Sequence, residues 1–193
     1  MLASMTLARS VIFITILLVS CAPEALAGTD LGNEPAPDLT LLDGRTATPL
    51  TLSSLRGKVV VLTFLYTNCP DACPLTAEHF RQAQRDLGAD ADRVELVAVT
   101  VDPERDTPAA VQEFSRAHGL DRNWHYLIGQ RAQIAPVLQA YGIGTIPDTA
   151  SGLVGHSDAI YLIDAKGRAR VLLHTEELPS VLVQDLRILL REG

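Results

Sequence analysis

The sequence has few cysteines, few aromatic residues and no excess of basic residues. Only three of the 193 residues are cysteines, so a framework of several disulfides does not hold the fold together. Aromatic residues make up 5% of the chain, which offers no platform for stacking nucleic-acid bases. The formal net charge is −7, and nucleic acid is therefore not an expected partner. With 47% hydrophobic residues, the chain can bury the core of one globular domain.

The first 27 residues have the pattern of a secretory signal peptide. Arg9 precedes the apolar run 11–19, which is about half of the ~20 residues that a membrane-spanning helix needs. Two cleavage signals compete. Leu18-Val19-Ser20-Cys21 resembles the bacterial lipobox, whose cysteine is lipidated, and we favour it over the small-x-small site that ends at Ala27. We therefore expect an exported protein on the periplasmic side of the bacterial cytoplasmic membrane, in contact with that membrane through a lipid anchor at Cys21.

The remaining chain predicts a short tether and one domain. The stretch 29–37 is polar with glycine, asparagine and two prolines, which suits a tether. We place the tether at residues 28–34 and the domain at residues 35–193. Strands alternate with helices, and this order predicts an α/β, thioredoxin-like fold with a mixed central sheet, helices on both faces and an N-terminal β-hairpin. The predicted elements are strands at 38–42, 48–52, 59–66, 94–101, 124–128, 159–163 and 168–174, and helices at 74–88, 108–118, 132–141 and 179–190, with an irregular stretch at 142–155.

Cys69 and Cys73 lie where a buried strand leads into a helix. Backbone N–H groups and the helix dipole favour a thiolate there, which is both a nucleophile and a metal ligand. Three residues separate the two cysteines, whereas redox motifs of the thioredoxin type have two. This spacing leaves room for a soft metal between the sulfurs and does not prevent disulfide closure. The pair is thus a candidate for metal binding and for redox catalysis, and a purely structural disulfide closing so short a loop would stabilise little.

A metal held by two thiolates needs a third ligand, and the chain has five histidines. His156 ends the irregular stretch directly before a strand, where a loop can fold over the cysteine turn. His79 follows Cys73 by six residues in the predicted helix, so it points away from the sulfurs. The other three stand at ends of predicted elements and are more typical of surface or packing histidines: His118, His125 and His174.

Three sequence blocks contain these candidate ligands. They are TFLYTNCPDACP at 63–74, VTVDPERDTP at 99–108 and VGHSDAIYLID at 154–164. Together and in this order, they resemble the Sco/SenC family of copper-binding proteins, whose fold is similar to that of thioredoxins and peroxiredoxins. The resemblance implies that Cys69, Cys73 and His156 bind copper and that Asp102 lies near the site. It also implies that the protein helps to assemble the copper centre of cytochrome c oxidase.

The donor chemistry agrees with the implied metal. Two thiolates and an imidazole form a soft, low-coordinate set suited to Cu(I), and Cu(II) would be held with an added ligand. Zinc would accept the same set with a water in the fourth position. The sequence supports two roles for Asp102 equally. The side chain either orients His156 or caps the turn that Asp102 makes with Pro103. The implied recipient is the copper-bearing subunit of cytochrome c oxidase or another periplasmic copper protein.

Three functions compete on these residues. The first is a copper chaperone that binds one ion and transfers it. The second is a periplasmic thiol-disulfide oxidoreductase that keeps partner cysteines reduced, which needs the cysteines but no histidine. The third, a peroxide-reducing enzyme, is the weakest, because the usual Thr-x-x-Cys spacing is not reproduced by Thr67 and Cys69. The segment Thr145-Ile146-Pro147 is reminiscent of the thioredoxin cis-proline, but residues 148–155 intervene before the strand, and we expect Pro147 to be an ordinary loop proline.

Overall fold

The computed structural model describes residues 24–148 and 150–193. The lipobox predicted at Cys21 and the apolar run before it lie outside the described residues. Within the part of the chain that is described, no helix is both long and apolar enough to cross a bilayer. The centre of the molecule is an eight-stranded mixed sheet, and a separate two-stranded sheet lies beside it.

The helices and strands follow the predicted order closely. In the described residues, the strands are β1 (Thr29–Asp30), β2 (Thr40–Asp43), β3 (Thr48–Thr51), β4 (Val59–Leu65), β5 (Val94–Thr100), β6 (Trp124–Ile128), β7 (Thr145–Pro147), β8 (Val154–His156), β9 (Ile160–Ile163) and β10 (Ala169–Leu173). The α-helices are α1 (Ala72–Leu87), α2 (Pro108–Ala117), α3 (Arg131–Ala140) and α4 (Ser180–Glu192).

The large sheet has the strand order β1-β10-β9-β4-β5-β6-β2-β3. β4, β5 and β6 are parallel neighbours, and the other neighbouring pairs are antiparallel. Every residue of β4 and of β5 is buried, as expected for central strands that are covered on both faces. The predicted N-terminal hairpin is confirmed by β2 and β3, which pair in antiparallel register.

Helices cover both faces of this sheet, as the sequence predicts. Right-handed crossovers between β4, β5 and β6 place α1 and α2 on the same face. Phe80 of α1 packs against Trp124 of β6 there, and α4 packs beside α1. α3 covers the other face, where Tyr141 at its end packs against Phe64 of β4 with ring centroids 5.7 Å apart.

The stretch 142–155 is more regular than predicted. β7 and β8 form an antiparallel hairpin in which Thr145 pairs with His156 and Ile146 pairs with Gly155. His156 is thus the last residue of β8, and Pro147 ends β7 instead of lying in a loop. Sequence patterns did not show this hairpin because its strands have three residues each, β7 is exposed throughout, and alternation of buried and exposed residues is absent.

The segment for which the sequence predicts a tether lies along the edge of the sheet. β1 pairs with β10, with Thr29 opposite Leu172 and Asp30 opposite Val171. Further along, Pro35 forms an isolated bridge with Arg168. This pairing uses backbone N–H and C=O groups and not side chains, so the polar composition of the segment did not indicate it.

Candidate functional site

The two cysteines lie in the turn between β4 and the first turn of α1. Cys73 is completely buried and Cys69 is half-buried, and both thiols are free. The backbone N–H of Cys73 donates to the Sγ atom of Cys69 over 3.4 Å. The backbone N–H of Cys69 in turn donates to the carbonyl of Tyr66, 3.3 Å away. The start of α1 therefore directs an N–H donor at one sulfur while it buries the other.

This arrangement makes the two thiols electrostatically different. Burial raises the pKa of the Cys69 thiol, but the N–H groups of Asp71 and Cys73 directed at its sulfur outweigh burial and bring the pKa below its ordinary value. Burial, reinforced by the neighbouring Cys69, raises the pKa of Cys73 far above its ordinary value. Cys69 is therefore the cysteine that ionises first.

Asp106, which the sequence analysis did not single out, holds the start of the cysteine turn in place. Its buried carboxylate accepts hydrogen bonds from the backbone N–H of Thr67 over 3.0 Å and from the Thr67 hydroxyl over 2.7 Å. The hydroxyls of Thr100 and Tyr126 donate to its other oxygen, over 2.6 and 3.0 Å. Asp106 thereby joins the cysteine turn to the end of β5 and to the middle of β6. No local pattern marked it, because its partners lie in three different elements.

His156 reaches the same region from β8. Its ring lies edge-on to Tyr66, with ring centroids 6.0 Å apart. The Nδ1 atom lies 3.0 Å from the carbonyl oxygen of Ser157, which makes Nδ1 the protonated donor. The Nε2 atom is then left with the lone pair that a metal would use. This backbone hydrogen bond is the kind that fixes the tautomer of metal-binding histidines.

Cys69, Cys73 and His156 line one cleft of about 450 Å³. The structure thus brings the three predicted ligands into one cleft from two separate parts of the chain. Among the described residues, however, no three His, Cys, Asp or Glu side chains lie close enough together to hold a metal ion as they stand. The donor types, two thiols and an imidazole, fit a soft metal. Further lining residues are Tyr66, Thr76, Leu153, Asp158 and Thr175.

Asp102 caps the turn after β5 and does not orient His156. Its carbonyl accepts the backbone N–H groups of Arg105 and Asp106, over 3.1 and 3.0 Å. Its buried carboxylate pairs with the guanidinium of Arg105. Burial raises the pKa of Asp102, against the opposing effect of that guanidinium. Of the two interpretations that the sequence left equal, the structure supports the turn.

Arg105 connects this turn to the hairpin that carries His156. A Cβ atom at Gly152, in the loop between β7 and β8, would lie 2.9 Å from the Nη1 atom of Arg105. Gly152 also has a φ of +72°, in the left-handed region that favours glycine. The loop of the hairpin therefore packs closely on an arginine that Asp102 holds in place.

The other histidines do not line the cleft: His79, His118, His125 and His174. His125 lies instead between two carboxylates, with Nδ1 2.9 Å from Asp43 and Nε2 3.3 Å from Glu95. Burial opposes its protonation, but the hydrogen bonds to these carboxylates raise the pKa of His125 to about 9. His125 is therefore a charged structural residue, in line with the packing role expected from its position.

The sequence model of the SCO1/SenC family matches residues 36–191 of the chain. The chain is 37% identical over 141 residues to the mitochondrial SCO2 homologue of Mus musculus. This alignment covers 67% of the chain and 52% of the mouse protein, so the chain spans about half the length of that relative.

Solved structures of similar proteins share the fold. Copper-bound ScoI from Bradyrhizobium japonicum has a TM-score of 0.70 and 31% identity, and the match covers 80% of this chain and 99% of that one. Apo Sco1 from Thermus thermophilus has a TM-score of 0.73 and 29% identity, with 84% and 96% covered. These similarities confirm the predicted thioredoxin-like α/β fold, and the match over residues 36–191 shows that the chain belongs to the SCO1/SenC family.

Proposed function

We propose that this protein is a copper chaperone that binds one copper ion through Cys69, Cys73 and His156. The observation that carries the proposal is the single cleft lined by all three side chains, although they are contributed by two distant segments of the chain. The copper-bound structures of similar proteins from Bradyrhizobium japonicum and Arabidopsis thaliana support copper as the metal. The ion is the cargo of the protein, not a resident cofactor.

The exposure of the ligands suits a site that must release its ion. Cys73 is buried, while Cys69 and His156 are only half-buried and can be approached from the cleft. Two thiolates and an imidazole hold Cu(I) with few ligands, so an incoming thiolate or thioether of a recipient can replace them one at a time. Cu(II) would need an additional ligand beyond these three.

An anaerobic titration tests the site. Reduced protein is titrated with Cu(I) against a competing chelator, and we expect one tightly bound equivalent. His156→Ala should weaken binding by about tenfold or more, because one of three ligands is lost. His118→Ala is the matched control, since that histidine packs on Phe114 outside the cleft and its loss should leave the affinity unchanged. Binding that is indifferent to His156 would contradict the three-ligand site.

We further propose that the recipient is the copper-bearing subunit of cytochrome c oxidase. One structurally similar protein, BsSco, is described as a member of the Sco family of cytochrome c oxidase assembly proteins, with 23% identity and a TM-score of 0.70. Copper-loaded protein mixed with the apo form of that soluble copper domain should lose its ion to it, and the transferred ion is counted after separation of the two proteins. Retention of the ion would point to another periplasmic copper protein as the recipient.

A thiol-disulfide oxidoreductase is the second candidate function. It is favoured by the N–H of Cys73 directed at the sulfur of Cys69, which is accessible and ionises first. The thiolate of Cys69 would attack a partner disulfide and release one partner thiolate. Cys73 would then attack Cys69, release the second partner thiol and leave a Cys69–Cys73 disulfide, so that two electrons pass to the partner. Stoichiometric reduction of insulin that Cys73→Ser abolishes and His156→Ala leaves unchanged would establish this function.

We also propose that the protein is exported and anchored by lipid at Cys21. The lipobox at residues 18–21 supports this processing. Intact mass spectrometry of protein extracted from bacterial membranes should show a chain that begins at Cys21 and carries lipid. Cys21→Ala should prevent lipid attachment, whereas a chain that begins at Gly28 would contradict the proposal.

A further inference from the structure

A buried carboxylate on α4 binds the segment that precedes β1. Asp185 is fully buried, and its two oxygens accept the backbone N–H groups of Ala27 and Gly28, over 2.7 and 2.9 Å. A buried carboxylate is costly unless donors satisfy it, so this segment and α4 depend on each other. Asp185 is not among the residues that line the cleft, and the proposed copper chemistry does not use its charge.

The segment that precedes β1 is closely packed against the domain at Gly28. A Cβ atom at Gly28 would lie 2.2 Å from Cδ2 of Leu173 and 2.6 Å from Cγ1 of Val171. Leu26 packs against the hydrophobic core, and β1 follows directly with its pairing to β10. The chain is therefore a docked part of the domain from residue 26 onwards.

The direction of this segment places its entry point far from the cleft. Glu24 forms an ion pair with Arg191 in the last turn of α4. The other end of α4 follows closely after Thr175, which lines the cleft. A helix of 13 residues spans about 20 Å at 1.5 Å per residue. Glu24 thus lies at the end of α4 that is remote from the proposed copper ligands, whereas Gly28 lies beside Leu173, at the end of β10 nearer to the cleft.

We propose that Asp185 clamps residues 24–30 onto α4 and thereby holds the domain close to its lipid anchor with the copper cleft directed away from the bilayer. This inference rests on the lipidation of Cys21 proposed above. Only two residues lie between Cys21 and Glu24, so the anchor lies within about 11 Å of Glu24 along the chain. The protein would therefore offer its copper to a membrane-attached partner from the side of the domain that faces away from the bilayer.

Hydrogen exchange tests the clamp in lipidated protein embedded in nanodiscs. We expect the amides of residues 27–30 to be protected, and Asp185→Asn to accelerate their exchange by about tenfold or more. Gly28→Ala should have the same effect, because the added methyl group would collide with Val171 and Leu173 of β10 and displace the segment. Asp121→Asn is the matched control, because this exposed aspartate lies in a loop away from α4. Exchange of residues 27–30 at unstructured rates in the unmodified protein would overturn the clamp.

The orientation has a separate readout in the same sample. Nitroxide attached to lipid headgroups should broaden the amide signals of the turn 164–168 and of Gly193, which lies beside Ala165. The signals of Gly155 and His156 should stay sharp, and Asp185→Asn should reduce the contrast between the two groups. Equal broadening of both groups would overturn the orientation.

Two further measurements separate this inference from the proposals on which it rests. If intact mass shows a chain that starts at Gly28, its α-ammonium group would face Asp185, and the anchored orientation is wrong. The Cu(I) titration of the same preparation reports on the copper site independently, because neither Asp185 nor Gly28 lines the cleft. Loss of copper binding with intact protection of residues 27–30 would contradict the proposed function and leave the clamp supported.

Discussion

The carboxylate of Asp106 accepts hydrogen bonds from both the backbone N–H and the hydroxyl of Thr67, which stands two residues before Cys69. The two residues are separated by 39 positions in the sequence, so this contact exists only in the folded chain. With Thr100 and Tyr126 as further donors, Asp106 receives four hydrogen bonds in a buried position. The conformation of the cysteine turn therefore depends on a residue that is not a candidate ligand.

Replacing Asp106 should destabilise the whole domain. Asp106→Asn keeps the shape but puts an amide N–H₂ group where two donors now point, so we expect a loss of about 2–4 kcal/mol in the free energy of unfolding. Urea denaturation followed by circular dichroism measures this loss. Glu104→Gln, at an exposed position in the same loop, should change the free energy by less than about 0.5 kcal/mol. Equal effects of the two substitutions would contradict the role assigned to Asp106.

The contact between Gly152 and Arg105 predicts that the loop of the hairpin influences metal affinity. Gly152→Ala strains a left-handed backbone by about 1–2 kcal/mol and also displaces the guanidinium of Arg105. We expect Cu(I) affinity to fall by about tenfold, since His156 lies at the end of this hairpin.

A second glycine separates backbone strain from displacement of the hairpin. Gly88 also has a positive φ, of +58°, but an added Cβ atom would meet nothing within 4 Å. Gly88→Ala should therefore reduce stability and leave the Cu(I) affinity unchanged. If both substitutions reduce the affinity equally, the hairpin does not position His156 through Arg105.

The raised pKa of His125 predicts that the protein loses stability at alkaline pH. Its folded pKa of about 9 lies above the ordinary value of 6.5, because Asp43 and Glu95 bind the protonated ring. The resulting stabilisation is complete below about pH 6.5 and is lost as the pH rises through about 9. We expect the free energy of unfolding to fall by an amount on the order of 2 kcal/mol between pH 6.5 and pH 10.

Denaturation curves across this pH range measure the effect, and His125→Gln is the matched variant. It should be less stable than the parent at pH 6.5 and show a flatter dependence on pH. Lys58 also pairs with Glu95, so Lys58→Met serves to separate its contribution to the same cluster. A variant without His125 that keeps the full dependence on pH would show that other groups cause it.

The different burial of the two cysteines predicts their order of modification. Iodoacetamide should alkylate Cys69 at least about tenfold faster than Cys73, because Cys73 is completely buried in α1. Mass spectrometry of peptides after short reaction times gives both rates. Copper loading should protect both sulfurs, and removal of the ion with a chelator should restore the reactivity of Cys69. Preferential alkylation of Cys73 would contradict the geometry of the cleft.

Much of the fold could be predicted from local sequence patterns. The apolar runs of β4 and β5 identified the buried central strands, and Thr107-Pro108 identified the start of α2, where the Thr107 side chain accepts the N–H of Ala110. These features depend on neighbours within a few residues, and the sequence displays them directly. β7 and β8 were missed because strands of three residues, paired at the surface, carry no periodic signal.

The sequence by itself determined the chemistry that the site can perform, because the residue types and the strand-to-helix junction at Cys69 and Cys73 are local properties. The three blocks that resemble the Sco/SenC family identified His156 as the further candidate ligand, and its presence in the same cleft depends on the tertiary structure. Only the tertiary structure decided that Asp106 supports the cysteine turn, that Asp102 pairs with Arg105 in the turn after β5, and that Asp185 binds the segment before β1. Such contacts join residues far apart in the chain, and the partner of a buried carboxylate is set by how the elements pack.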